Sequence, residues 1–152
     1  MEVFEASIED ASVILAIQKD AYISEALLHN DFEIPPLTQT LVELEAEFDK
    51  RRIVKIVIDG EIVASGQAKF SNSTCEIGRM AVKTKFKGKG IGSKLLTALE
   101  SSFSEANRIE LFTGINSAAN LAMYNRRGYK QFKQKKFGDT TVVFLEKLLQ
   151  NS

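Results

Sequence analysis

The spacing of hydrophobic positions changes several times along the chain, and each change marks a predicted helix or strand. Glu2 to Ala6 alternates polar and apolar side chains and predicts a short strand. Ser7 opens a capping-box pattern, so a helix is predicted to begin there. Residues 21–37 have no clean period and contain both prolines of the chain. A second helix is predicted from Thr40, where Glu43 completes another capping box.

Strand patterns follow these helices. Ile53 to Ile58 is rich in β-branched residues, and Asp59-Gly60 is a two-residue hairpin signal that leads into Glu61 to Phe70. Thr74 to Val82 has the pattern of a third strand. The three segments together predict a β-meander.

In the second half of the chain, segments with the hydrophobic spacing of a helix alternate with segments that have the spacing of a strand. Its predicted elements are a basic glycine-rich loop over Lys83–Gly92, a helix over Ile91–Ser104, a buried strand over Arg108–Thr113, a helix over Ser117–Arg127, and a hairpin of Tyr129–Lys136 with Thr140–Lys147. The whole order contains seven strands and four helices, which predicts a mixed sheet covered by helices, of the α+β or α/β class. We find no linker or repeat, so residues 1–152 are expected to form a single domain.

Composition excludes several function classes. Twenty Lys and Arg residues balance twenty Asp and Glu residues, which argues against a nucleic-acid partner because phosphate binding needs a net basic surface. With a single cysteine, Cys75, and a single histidine, His29, the chain has no intramolecular disulfide and lacks the usual zinc ligand sets, so no metal is expected. The first thirty residues contain no long apolar run, so we expect no membrane association and a cytoplasmic location.

The most informative segment is the loop from Val82 to Lys94, where a strand ends, three glycines alternate with other residues, and an amphipathic helix begins. Gly88, Gly90 and Gly92 let the backbone approach a ligand closely. The unpaired N–H groups of a first helical turn, with the positive end of the helix dipole behind them, favour a phosphate or pyrophosphate. The lysines around this site are Lys83, Lys85, Lys87, Lys89 and Lys94.

Two nucleotide-binding patterns do not fit this loop. A Walker P-loop needs Gly-Lys-Ser/Thr four residues after a glycine, and the dinucleotide pattern fails because Ser93 stands three residues after Gly90. The alternative without function is a glycine-rich turn whose lysines are solvated.

The segment Lys87-Gly88-Lys89-Gly90-Ile91-Gly92 resembles the acetyl-CoA pyrophosphate loop of GNAT-family N-acetyltransferases, although that family usually has Gln or Arg where Lys87 stands. Downstream, Asn120, Tyr124 and the pair Gly128-Tyr129 match a second segment common in the family. The resemblance extends over nearly the whole chain. It implies a GNAT fold, with a mostly antiparallel sheet of about seven strands flanked by about four helices.

The same resemblance implies an enzyme that transfers acetyl directly from acetyl-CoA, as cosubstrate, to a primary amine of a small molecule or a peptide. It also implies the residues that bind acetyl-CoA. These are the strand residues Met80, Ala81 and Val82, the loop and helix residues Lys87, Gly88, Lys89, Gly90, Ile91, Gly92 and Ser93, and the asparagines Asn116 and Asn120.

Acetyl transfer to an amine needs a base and an acid. Tyr124 is expected to be the general acid that protonates the leaving thiolate, since a phenol can deliver a proton to it. Glu76, six residues before Val82, is the expected general base, with Glu25 and His29 as reserves. The alternatives to these catalytic roles are that Glu76 forms a surface ion pair and that Tyr124 packs in the core.

Other interpretations stay open at this level. The chain could be a non-catalytic acyl-CoA-binding module, or a domain whose basic loop docks an acidic partner. A thiol nucleophile built from Cys75 and His29 is weakly indicated, because neither residue lies in a recognisable nucleophile turn. Acceptor choice is expected to depend on residues 21–40 and 129–141, and a homodimer through sheet edges or the terminal hairpin is compatible with the pattern.

Overall fold

A computed structural model describes residues 1–149 of the chain. The strands are β1 (Glu2–Glu5), β2 (Arg52–Ile58), β3 (Glu61–Ser71), β4 (Thr74–Val82), β5 (Arg108–Gly114), β6 (Lys130–Phe137) and β7 (Thr140–Leu148). The helices are α1 (Ala11–His29), α2 (Pro35–Thr38), α3 (Leu41–Glu47), α4 (Ile91–Glu100) and α5 (Ala118–Arg126), with 3₁₀ turns at Ile8–Asp10 and Thr84–Phe86.

The seven strands form one sheet in the order β1-β2-β3-β4-β5-β7-β6. Every neighbouring pair is antiparallel except β4 and β5, which run parallel. Five helices flank this sheet, and similar solved structures share the architecture. The prediction of a mixed, mostly antiparallel sheet of seven strands is therefore confirmed; the additional helix is the single turn at Pro35–Thr38.

Helices cover both faces of the sheet. On one face, α4 and α5 close the main core, in which Leu95, Leu96 and Leu99 are fully buried. On the other face, α1 and α3 close a smaller cluster around Ile14 and Leu44. We call these the α4 face and the α1 face. They are two separate hydrophobic layers, and the chemistry described below lies between them.

Two helix boundaries differ from the sequence prediction. Residues 21–29, expected to be irregular, continue α1 to His29. The helix expected to reach Ser104 ends at Glu100, where the Ser101 and Ser102 hydroxyls donate to carbonyls four residues back, at 3.1 and 3.4 Å. Such side-chain bonds compete with helix continuation, and Phe103 packs against Phe70 instead of extending the helical stripe.

A β-bulge interrupts β4 beside β3. Ser65 pairs with Ala81 and Gln67 pairs with Gly78, so Arg79 and Met80 together oppose Gly66. Arg79 has a positive φ of 53°, which is unusual for a residue with a side chain. Gly66 is required here, because a Cβ atom at this position would lie 2.7 Å from Leu99 Cδ1 of α4.

No helix within residues 1–149 is both long and apolar enough to cross a membrane. Across the same residues, no group of three His, Cys, Asp or Glu side chains is placed to hold a metal ion.

Candidate active site

The parallel strands β4 and β5 separate soon after they pair. Only Thr74–Glu76 is paired with Arg108–Glu110, although β4 continues to Val82 and β5 to Gly114. Residues 77–82 therefore keep their pairing with β3 but have none with β5, which opens a V-shaped cleft in the sheet. The strand residues predicted to bind acetyl-CoA, Met80 to Val82, lie along this opening.

The N-terminus of α4 lies at the end of β4 and has no side-chain cap. Gly90, the residue before the helix, has φ 78°, and Gly88 has φ 76°. A Cβ atom built at Gly88, Gly90 or Gly92 meets no atom within 4 Å, so all three glycines border open space. Because the first amides of a helix have no partner inside it, this turn presents free N–H donors to a ligand.

The lysines of the loop divide into two groups. Lys83 and Lys85 approach Glu61 at 2.7 and 3.7 Å, and Lys94 donates to the Met1 carbonyl at 2.9 Å. Lys87 and Lys89 are exposed and form no ion pair with residues 1–149. Lys87 and Lys89 are thus the loop cations that remain available to an anionic ligand.

Two polar stripes face each other across the opening between α1 and α5. Tyr22, Glu25 and His29 follow one another on one side of α1, and Ser117, Asn120 and Tyr124 have the same spacing of three and four on α5. We call these six residues the polar seam.

Glu25 is the centre of this seam. Its carboxylate accepts hydrogen bonds from the Ser117 hydroxyl and, at 3.4 Å, from the Asn120 side-chain amide. The same amide of Asn120 donates to Thr113 Oγ1 at 3.2 Å. The Glu25 side chain keeps 21% of its surface exposed, so the carboxylate is positioned by its donors and still accessible.

His29 joins the end of α1 to the loop before α5. Its Nε2 atom accepts from the Asn116 backbone N–H at 3.0 Å, so the proton of the neutral ring is on Nδ1, which donates to the Glu25 carbonyl at 2.9 Å. The Asn116 side-chain amide donates to the Leu28 carbonyl at 3.2 Å. The ring lies directly on Gly114, where a Cβ atom would overlap it.

Tyr124 is 6% exposed and packs against Tyr129, with ring centroids 5.8 Å apart. Its hydroxyl has no hydrogen-bond partner among residues 1–149, and the residue interacts electrostatically with Tyr22 and Glu25. Burial raises the pKa of Tyr124 above its usual value, and the nearby Tyr22 and Glu25 add to this rise. The phenol is therefore protonated at neutral pH, as an acid must be.

Tyr22 interacts electrostatically with both Tyr124 and the bulge arginine. Burial raises the pKa of Tyr22 to about 12, while the positive charge of Arg79 opposes this rise. Since Tyr124 and Glu25 both interact electrostatically with Tyr22, these groups share one environment. Tyr22 falls in the segment expected to select the acceptor, whereas no motif in the sequence marks Arg79.

Glu76 occupies a different part of the sheet. It belongs to the paired segment of β4, where its neighbours in register are Lys69 on β3 and Glu110 on β5. Within residues 1–149, no hydrogen bond or ion pair joins Glu76 to Tyr124. Of the carboxylates considered from the sequence, the structure brings the reserve Glu25, rather than Glu76, together with Tyr124.

Among the predicted cosubstrate residues, Ser93 links the glycine loop to α5. Its hydroxyl accepts a hydrogen bond from Arg127 at 2.7 Å, so the end of α5 is held against the first turn of α4. Asn120 lies in the polar seam with Tyr124, and Asn116 lies beside His29 at its edge. Cys75 and His29 are not associated, since Cys75 is fully buried on the α4 face with its thiol directed at the Leu99 carbonyl.

Comparison with known proteins agrees with this geometry. Residues 15–129 match the model of the acetyltransferase (GNAT) family. An S-alkylcysteine N-acetyltransferase from Bacillus subtilis (strain 168) is 26% identical over 157 residues, which cover 95% of this chain and 87% of that protein.

Solved structures show the same fold. A ribosomal-protein-S18-alanine N-acetyltransferase from Escherichia coli superposes with a TM-score of 0.82 at 12% identity, covering 99% of this chain and 95% of its own. The PaiA N-acetyltransferase from Thermoplasma acidophilum, in complex with coenzyme A, has a TM-score of 0.72 at 17% identity, covering 97% of this chain and 98% of its own.

Proposed function

The chain belongs to the acetyltransferase (GNAT) family, and we propose that its catalytic centre is the cleft where β4 and β5 separate, with the polar seam as one wall. Its activity is the transfer of an acetyl group to an amine. The observation that carries the assignment of the centre is that Tyr124, whose hydroxyl has no partner among residues 1–149, interacts with the Glu25 carboxylate that Ser117 and Asn120 hold from the same segment.

Acetyl-CoA fits the residues at the open end of β4. The uncapped first turn of α4, the space above the three loop glycines, and the unpaired Lys87 and Lys89 provide donors and charge for a diphosphate. The unpaired side of β4 at Met80 to Val82 provides backbone groups for the thioester arm. We therefore assign acetyl-CoA as the cosubstrate, with its phosphates at α4 and its thioester in the cleft.

The acceptor is an α-amine. Neither an S-alkylated cysteine nor an alanine has a nitrogen in its side chain, so the two N-acetyltransferases named above both act on an α-amino group. We extend this chemistry to the present chain. The polar seam suits such an acceptor, because it offers a carboxylate to an ammonium group at a site largely screened from water.

Glu25 is assigned the role of general base. An α-ammonium group must lose a proton before its nitrogen can attack the thioester carbonyl carbon, and the Glu25 carboxylate receives that proton. Ser117 and Asn120 hold the carboxylate in place through its other lone pairs. Deprotonation leaves the amine lone pair free to form the new C–N bond.

The remaining steps take place at the mouth of the cleft. The attack converts the carbonyl oxygen to an oxyanion, for which a backbone N–H of Met80 to Val82 is the donor. When the C–S bond breaks, the Tyr124 hydroxyl gives its proton to the departing thiolate, and the second proton, which the attacking nitrogen loses as the amide forms, restores the phenol. The products are the N-acetylated acceptor and free CoA thiol.

Tyr124→Phe tests the centre as a whole. The variant keeps the ring that packs on Tyr129, so we expect acetyl-CoA binding within a few-fold of wild type and turnover lowered at least about tenfold. Release of CoA thiol with a panel of α-amino compounds provides the rate, and calorimetry with acetyl-CoA provides the affinity. Unchanged turnover would remove Tyr124 from the acid role.

Glu76, the base expected from the sequence alone, is the matched comparison for Glu25. Glu25→Gln and Glu76→Gln each remove one charge with little change of volume. We expect Glu25→Gln to lower kcat/KM by about 10² to 10⁴ at neutral pH, and Glu76→Gln to change it much less. The opposite ranking of the two variants would return the base role to Glu76.

A further inference from the structure

The arginine in the β4 bulge lacks the carboxylate partner that three other arginines of the chain have. Arg108 and Arg127 each have a carboxylate oxygen at 2.8 Å, and Arg51 is ion-paired with Glu47. Arg79 is half-buried, yet it has no carboxylate within 4.0 Å among residues 1–149. Arg52 is also half-buried without a carboxylate within 4.0 Å among residues 1–149, but it lies at the start of β2, where its Nη1 atom donates to the Ser102 carbonyl at 3.5 Å. A partly desolvated guanidinium without a counterion is costly, because burial penalises its charge.

Only one nitrogen of Arg79 has a partner in the described chain. Its Nη1 atom donates to Gln39 Oε1 at 3.2 Å. The same Gln39 oxygen accepts from the Gln18 side-chain amide at 2.9 Å, and that amide also donates to the Pro36 carbonyl. This network fixes one edge of the guanidinium against α1 and the loop after α2, and it leaves the other donors unused.

The bulge determines which way Arg79 faces. Cys75 and Ile77 pack into the main core on the α4 face, and regular alternation would place residue 79 there as well. The extra residue shifts the phase, so that Met80 packs into the main core while Arg79 bonds Gln39 on the α1 face. The left-handed backbone at Arg79 is the strained conformation that makes this turn.

On that face, Arg79 is linked to α1 through Gln39 and Gln18, and Tyr22 follows Gln18 one turn later on that helix. The charge of Arg79 interacts with Tyr22, and Tyr22 interacts with Glu25. The other charged neighbours of Arg79 are Glu43, Glu47 and Arg51, on α3 and the chain after it. A cation whose remaining donors are unpaired therefore shares the surroundings of Tyr22 with the carboxylate assigned as base.

We propose that Arg79 binds the carboxylate of the acceptor, so that the amine acetylated by this enzyme belongs to a free α-amino acid rather than to a protein N-terminus. A planar guanidinium matches a carboxylate through two parallel hydrogen bonds. In an α-amino acid the amine and the carboxylate are attached to one carbon. Arg79 and Glu25, which both interact with Tyr22, thus recognise opposite charges of the same zwitterion. This inference depends on the proposed function.

The experiment compares an amino acid with its own amide. S-benzyl-L-cysteine and S-benzyl-L-cysteinamide carry the same amine and side chain, and only the first has a negative charge. The measured quantity is the ratio of their kcat/KM values from CoA thiol release. Comparing this ratio between variants cancels the difference in amine basicity between the two compounds.

For the wild type we expect a preference for the acid of about tenfold or more, the range of a charge-assisted hydrogen bond. Arg79→Gln is expected to lower the acid-to-amide ratio by about 10- to 100-fold. Arg79→Lys, which keeps the charge and loses the planar fork, should give an intermediate ratio. Arg51→Gln is the matched control, since it removes a neighbouring arginine already paired with Glu47, and it should retain the wild-type ratio.

A binding measurement covers variants or acceptors that give no turnover. In the presence of CoA, S-benzyl-L-cysteine should raise the melting temperature of the wild type more than its amide does, and Arg79→Gln should remove the difference. Equal response to acid and amide in the wild type, or a ratio unchanged by Arg79→Gln, overturns the role of Arg79 and leaves the acetyltransferase assignment intact. Absence of thiol release with every amine, alongside preferential binding of the acid, would instead contradict the proposed catalytic centre.

Discussion

Gly114 is the position where the smallest change should disturb the polar seam most. A Cβ atom at residue 114 would overlap the imidazole of His29, which is buried and fixed by hydrogen bonds at both ring nitrogens. Gly114→Ala must therefore push the ring out of place. Displacement breaks the bond from the Asn116 backbone N–H and moves the end of α1 that carries Glu25.

The magnitude follows from the contacts. Overpacking of this kind costs about 1 to 3 kcal/mol, and loss of the hydrogen bond from the Asn116 N–H, an exposed residue, costs about 0.5 to 1.5 kcal/mol more. Replacing glycine also stiffens the unfolded chain, which returns up to about 1 kcal/mol. We expect a net loss of about 2 kcal/mol. For a domain of this size, that corresponds to a fall in melting temperature of roughly 4 to 8 °C.

Thermal unfolding followed by far-ultraviolet circular dichroism measures this loss. Gly78→Ala is the matched control, because a Cβ atom at residue 78 meets nothing within 4 Å and Gly78 does not have a positive φ. The melting temperature of this variant should therefore stay close to that of the wild type. In the His29→Ala background the added methyl has room, and Gly114→Ala should cost less than about 1 kcal/mol. A melting temperature of Gly114→Ala within two or so degrees of wild type would refute the steric argument.

Two further predictions concern the titration of buried groups. Burial raises the pKa of Tyr22 to about 12 and moves the pKa values of Tyr124 and Tyr129 in the same direction. Because the folded values exceed the unfolded value near 10, the stabilisation is complete below pH ~10 and is lost as the pH rises through the folded values. Phenolate absorbance in the near ultraviolet measures this ionisation, and the chain has no tryptophan to interfere. We expect all three tyrosines to ionise at a higher pH than free tyrosine. Ionisation at the usual pH of about 10 would contradict their burial. Burial also raises the pKa of the Cys75 thiol to about 11. Ellman's reagent should therefore detect no reactive thiol in the folded protein at mildly alkaline pH, and one thiol per chain in denaturant. Rapid reaction of the folded protein would show that Cys75 is accessible.

The periodicity of hydrophobic residues predicted the strands well because an apolar layer covers each face of the sheet, so that apolar side chains recur along each strand. The third strand of the meander was placed at Thr74 to Val82, and β4 has these bounds. The same reasoning failed over residues 21–29, where the inward side of α1 includes Tyr22, Glu25 and His29 beside a small Ala26, while Ile23, Leu27 and Leu28 are exposed. A helix whose buried face is polar has no hydrophobic period to detect.

The motifs predict the proposed cosubstrate end of the site in more detail than the proposed acceptor end. A glycine loop followed by a helix can be read from the sequence, because its function depends on backbone groups that adjoining residues provide. The choice between Glu76 and Glu25 depends instead on which side chains meet across the cleft. Spacing along β4 places Glu76 at the correct distance from Val82 but does not show that β4 and β5 are still paired there.

The bulge at Arg79 and Met80 explains how one strand contributes to both halves of the site. A regular β4 would place Arg79 on the α4 face, among the apolar side chains of the main core, where a charged group is costly. The extra residue transfers the charge to the α1 face and returns Met80 to the core, so α4 can pack tightly and keep its N-terminus fixed at the end of the strand. Beyond the bulge, β4 again alternates, with Ala81 against Ile14 and Val82 in the main core. The same local irregularity therefore maintains the cosubstrate side and places a cation on the acceptor side, at a cost of one strained backbone conformation.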